Sequence, residues 1–78
     1  MLTFREAAIK ILKITDEPLH YRKITKIAIK KKLIVTYSDE PQNTMYFKIS
    51  NDIKLYKEKS SFIKVKPGIF KINPKSDI

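Results

Sequence analysis

The side chains nearest to a catalytic kind in this 78-residue sequence are its one histidine, His20, and the paired serines Ser60 and Ser61. A serine nucleophile needs a base within hydrogen-bond reach, and neither serine has one at a recognisable spacing. Metal binding through His20 would need partners of the same kind. The sequence has no second histidine and no cysteine, and its carboxylates are scattered. His20, close to Pro18 and next to Tyr21, reads instead as a structural hydrogen-bonding residue. Gly68 is the only glycine, so no glycine-rich phosphate loop can form. Zero cysteines exclude disulfides and thiolate metal sites. The expectation is a chain that is not an enzyme, with no cofactor, no metal and no small-molecule substrate.

What the sequence does supply is positive charge. Seventeen lysines and arginines face eight aspartates and glutamates, for a net charge of +9. That balance favours a polyanionic partner such as nucleic acid, an acidic protein surface or an anionic membrane. The charge is unevenly spread. Residues 1–35 carry +6, residues 36–58 carry −1 and residues 59–78 carry +4. No apolar run approaches the ~18 residues of a transmembrane helix. The start, MLTFREAAIK, is charged too early for a signal peptide. The expected location is therefore cytoplasmic, nucleoid-associated or nuclear, with no membrane partner.

Three groups of residues are candidates for contact with a polyanion. Arg22, Lys26 and Lys30 recur at helical spacing, with Lys23, Lys31 and Lys32 nearby. Like charges four apart on a helix repel by a few tenths of a kcal/mol, and a phosphate backbone would relieve that repulsion. Near the C-terminus, Lys64 and Lys66 are expected on one strand face and Lys71 on the partner strand. Exposed lysines of this kind also guard sheet edges against aggregation. Between these groups lie Gln42, Asn43, Thr44, Lys48 and Asn51. Asparagine and glutamine can pair bidentately with adenine in the major groove. Asp39 and Glu40 just before them would oppose phosphate.

The elements that must position these groups follow from periodicity. Thr3 and Glu6 form a capping box, and Phe4, Ala8, Ile11 and Leu12 fall on one face of a first helix that stops near Thr15. Leu19 to Tyr21 make a short bridge or strand. A second helix runs roughly from Tyr21 to Lys32 on a stripe of Ile24, Ile27 and Ala28. Leu33, Ile34 and Val35 follow as a buried connector. Pro41 opens a third helix, whose packed face is Met45, Ile49, Ile53 and Tyr56 and which ends near Lys57. From Phe62 to Asn73 the pattern alternates as a hairpin split by Pro67-Gly68, a pair that suits a type II turn. Two-residue hairpins prefer primed turns, so a longer or irregular loop is expected. Ile63, Val65, Phe70 and Ile72 should pack on the helices. Together these predict a mainly α fold with a β-hairpin, a winged helix-turn-helix over residues 1–73, followed by a flexible tail over 74–78.

Four segments carry a family resemblance across nearly the whole chain. They are TFREAAIKIL (Thr3 to Leu12), PLHYRKITKIAIKKKLI (Pro18 to Ile34), EPQNTMYFKISNDI (Glu40 to Ile53) and SFIKVKPGIFKI (Ser61 to Ile72). PLHY before an isoleucine-rich helix and the final G-x-F at Gly68 to Phe70 are the more specific parts. The chain resembles the HARE-HTH domain, a winged-helix module found with restriction endonucleases and chromatin proteins and related to the N-terminal domain of the RNA polymerase delta subunit. The resemblance implies binding of double-stranded DNA. Through the delta-subunit relationship it also implies an alternative, docking on RNA polymerase or another nucleic-acid enzyme. A further alternative is an accessory targeting domain of a larger restriction or modification protein.

Overall fold

The computed structural model describes residues 1–75. The chain runs through helix α1 (Phe4–Thr15), strand β1 (Leu19–His20), helix α2 (Tyr21–Lys30), helix α3 (Pro41–Tyr56), a single 3-10 turn (Lys57–Lys59), and strands β2 (Phe62–Lys66) and β3 (Ile69–Ile72). The expected tail falls largely on residues 76–78, which lie outside the described residues. Among the described residues, no helix is long and apolar enough to cross a membrane.

Each helix starts where its local chemistry satisfies orphan amides. The Glu6 amide donates to Thr3 Oγ1 at 3.0 Å and the Thr3 amide to Glu6 Oε1 at 2.9 Å, closing the capping box. Those bonds hold the Glu6 carboxyl below the usual carboxylate range. α1 ends at Asp16, which adopts the left-handed conformation at φ 52°. α2 is capped by His20, whose Nδ1 accepts from the Arg22 amide at 3.1 Å, so the histidine has the structural role expected of it. α3 starts on Pro41, without a side-chain cap from Glu40.

The core is one cluster. α1 contributes Ala7, Ala8, Ile9, Ile11 and Leu12; α2 contributes Ile24 and Ala28; α3 contributes Met45 and Ile49. Ile34, Phe62 and Phe70 complete it. Each of the two phenylalanines contributes about 1.5–3 kcal/mol by leaving water. Antiparallel pairing joins β1 to β3 and β3 to β2, so the hairpin belongs to a three-stranded sheet of order β1-β3-β2. Three helices closed by this sheet make a winged helix-turn-helix.

The hairpin corrects two expectations through one cause. Lys66 pairs with Ile69, so the loop is only two residues, Pro67 and Gly68, and not longer. The irregularity sits in the strand instead, as a β-bulge between Lys64 and Lys66. Regular pairing from that turn would set Val65 opposite Phe70 and Ile63 opposite Ile72, the inward set read from the sequence. The extra residue slips the register by one, and a one-residue slip exchanges the two faces. Phe62 pairs with Ile72 and Lys64 with Phe70. Phe62 is therefore the buried residue of β2, while Val65 is 43% exposed. Lys64 and Lys66 consequently point to opposite faces, and Lys66 shares its face with Lys71, which pairs with Ile63.

Three smaller corrections concern element ends. α2 stops at Lys30, two residues early, before Lys32 at φ 57°. Val35 is exposed, so only Leu33 and Ile34 of the connector pack inward. Tyr56 is also exposed because α3 outruns the core by its last turn.

Candidate nucleic-acid interface

The cationic side chains at issue stand on a rigid junction between the wing and α2. The Tyr21 amide donates to the Gly68 carbonyl at 2.9 Å, and His20 pairs with Ile69. His20 stacks on Tyr21 with ring centroids 4.4 Å apart. A Cβ on Gly68 would lie 2.9 Å from His20 Nε2, and Gly68 has φ +79°. Only glycine meets both conditions without strain. The wing turn is thereby fixed against the first turn of α2, the turn that carries Arg22 and Lys23.

Arg22 and Lys26 open into one cleft with Gln42. Thr25, Ile29 and Pro41 form the rest of its wall, so the cleft lies between α2 and the start of α3. The guanidinium carbon of Arg22 stands 6.0 Å from the centre of the Tyr21 ring, at the outer limit of a cation–π contact. No acidic residue occupies the first turn of α2. Two cations at the positive end of a helix dipole repel it, so positive potential concentrates there. Lys66 emerges on the sheet face it shares with Ile69 and His20.

Lys64 and Lys71 are brought together elsewhere. They line a second cleft with Lys57, Lys75 and Ile53, where the 3-10 turn meets the sheet. Glu58 also reaches that cleft. Lys23, Lys30, Lys48 and Asn51 are exposed and line neither cleft. Thr44 is half-buried. Asn43 donates from Nδ2 to Glu40 Oε2 at 3.2 Å, so its amide is engaged by its own helix start. Among the described residues, none of Arg22, Lys23, Lys26, Lys30, Lys48, Lys64, Lys66 or Lys71 is in a salt bridge. Their charge is available to a ligand.

Arg5, which reads in the sequence as one more surface cation, is taken out of that pool. Its Nε donates to Asp52 Oδ1 at 2.7 Å and its Nη2 to Ser61 Oγ at 2.9 Å. Asp52 is 4% exposed. It also accepts from Ser60 Oγ at 2.6 Å and from the Ser61 amide at 3.1 Å. Burial alone would raise its pKa, but the bonds from Ser60, Arg5 and Ser61 outweigh burial and hold it below the usual carboxylate range. Asn73 closes the cluster by donating to the carbonyls of Glu58 and Ser60. The two serines therefore serve as hydrogen-bonding links between α3 and β2.

α3 presents Phe47, 61% exposed, between Thr44, Lys48 and Asn51. Its ring meets the Tyr46 ring edge-on at 5.8 Å. Tyr37, in the loop before α3, is 98% exposed. Both were expected at the surface.

A model of the HARE-HTH family, described as an ASXL and restriction endonuclease HTH domain, matches residues 2–72. Searches of curated proteins and of solved structures returned no match.

Proposed function

The chain belongs to the HARE-HTH family of DNA-binding helix-turn-helix domains, and from that membership we propose a double-stranded-DNA module that holds the phosphate backbone more than it reads bases. The observation that carries this reading is the shared cleft of Arg22, Lys26 and Gln42 beside a wing turn bonded to the start of α2. Arg22, Lys26 and Lys66 contact phosphates, with Lys23 and Lys30 flanking them. Lys64 and Lys71 form a second, outlying phosphate contact. α3 enters the major groove with modest base reading by Gln42, Thr44, Lys48 and Asn51. Asn43 joins only after it leaves Glu40. The absence of an arginine from α3 keeps base discrimination low, since arginine to guanine is the commonest specific contact.

Fluorescence anisotropy with labelled duplex and single-stranded DNA tests this reading. Duplex binding should be tighter than single-strand binding and should vary little among unrelated duplex sequences. No binding to any duplex at low salt would remove the proposal. A second reading rests on the words "restriction endonuclease" in the family's description. In it the module is the targeting unit of a larger restriction or modification protein. Fusing it to a non-specific nuclease domain should then raise cleavage of bound duplex, and unchanged cleavage would count against that role.

A further inference from the structure

A groove between the ends of α1 and α2 has no part in the DNA-binding arrangement. Its floor is Ile11, Ile14, Ile27 and Leu33, and its rim carries Lys10 and Lys31. Ile11 belongs to the core, and Ile27 and Leu33 pack against the core from outside. Ile14 does not. It is 72% exposed in the last full turn of a helix whose inner face is already filled by Ala7, Ala8, Ile11 and Leu12. Scattered single apolar residues on a surface are ordinary, but Ile14 is continuous with Ile27 and Leu33. Such a patch with a polar rim marks a contact surface.

Charge decides what fits there. Lys10 and Lys31 are exposed and in no salt bridge among the described residues. Asp16 and Glu17 follow α1 directly, but they line a different cleft with Pro18 and Lys71. The groove is thus apolar at its floor and positive at its rim. A second copy of this chain, with net charge +9, is repelled from such a rim. A duplex offers phosphates but no aliphatic side chain to lay on Ile14. The complement is an aliphatic segment flanked by carboxylates. The groove lies between two helices, the setting in which an amphipathic helix lays its apolar side chains.

We propose that this groove docks an acidic amphipathic segment of another protein, with its aliphatic side chains on Ile14, Ile27 and Leu33 and its carboxylates facing Lys10 and Lys31. No residue of the groove comes from α3 or the hairpin. The module can therefore hold this partner and DNA at once. The inference stands on its own surface and does not depend on the DNA reading.

The test is an NMR titration of the full chain with two short synthetic helical peptides. Both carry leucines at helical spacing; one has glutamates on the flanks and the other lysines. The glutamate peptide should shift the signals of Ile11, Ile14, Ile27 and Leu33 and leave Arg22 and Lys66 unmoved. The lysine peptide should bind at least about tenfold more weakly, a difference of about 1.4 kcal/mol. Ile14→Lys, at a position too exposed to disturb the fold, should weaken the glutamate peptide by a similar factor. Saturating duplex DNA should leave its affinity unchanged. Equal binding of the two peptides, or shifts centred on Arg22 and Lys26, would overturn the proposal. So would groove shifts produced by anionic lipid vesicles and not by the glutamate peptide.

Discussion

Replacing Asp52 with alanine should destabilise the domain by about 3 kcal/mol, and the size follows from what its carboxylate holds. Ser60 is fully buried and Ser61 is 2% exposed. Without Asp52, the Ser60 hydroxyl and the Ser61 amide each lose an acceptor away from water. An unsatisfied buried donor costs about 1–3 kcal/mol. Arg5 is 44% exposed on its side chain, so it can turn to solvent and adds little, at most about 1 kcal/mol. For a domain of this size 1 kcal/mol moves Tm by about 4–8 °C, so a fall of roughly 12–24 °C is expected by calorimetry. Asp52→Asn should lose less, because the amide oxygen still accepts from Ser60 and Ser61. The pH dependence adds a second readout. The folded pKa of Asp52 lies below its unfolded value of about 3.9. Its stabilisation is therefore complete above the unfolded pKa and is lost as pH falls through the folded one. The gap between wild type and Asp52→Asn should be constant from about pH 5 to 7 and close below about pH 4. A loss under about 1 kcal/mol in the alanine variant would refute the reasoning, because it would mean that the serines find other partners.

Two further outcomes follow from the same geometry. Gly68→Ala forces a left-handed φ on a residue with a Cβ and sets that Cβ 2.9 Å from His20 Nε2; a loss of about 1–2 kcal/mol is expected in chemical denaturation, and an unchanged midpoint would show that the wing turn is not fixed as described. Glu40→Gln removes a negative charge beside Pro41 and Gln42 and releases Asn43; duplex affinity by anisotropy should rise about two- to fivefold, within the range of an exposed charge interaction, and a fall would place the start of α3 away from phosphate.

The helices were legible because their signals are local. Thr3 with Glu6, Pro41, and the spacing of Met45 and Ile49 each act within a turn or two of the chain. The family was legible through PLHY and the G-x-F of the hairpin, and the family match over residues 2–72 bears it out. The inward face of β2 was not legible. Alternation allows either Phe62 with Lys64 or Ile63 with Val65, and β-branched residues made the second set look internal. A bulge that no residue type announces decides between them. Asp52 was missed for a different reason. Its partners Ser60, Ser61 and Arg5 lie 8, 9 and 47 residues away, so helical periodicity shows only a polar residue between Ile49 and Ile53. The same contact removes Arg5 from the cationic surface that composition alone would count. Of the candidate interface, the sequence supplied the cations. The fold then separated them, with Arg22 and Lys26 beside Gln42, and Lys64 with Lys71 in another cleft.

The salt dependence of duplex binding, compared between wild type and Arg22→Gln/Lys26→Gln/Lys66→Gln, addresses the central claim most directly. Each phosphate contact contributes about −0.9 to the slope of log K against log salt concentration. If each of these three side chains neutralises one phosphate, the variant's slope should be shallower by about 2.7, with the fold intact by circular dichroism. An unchanged slope would contradict the account, since DNA would then be held by some other face of the domain.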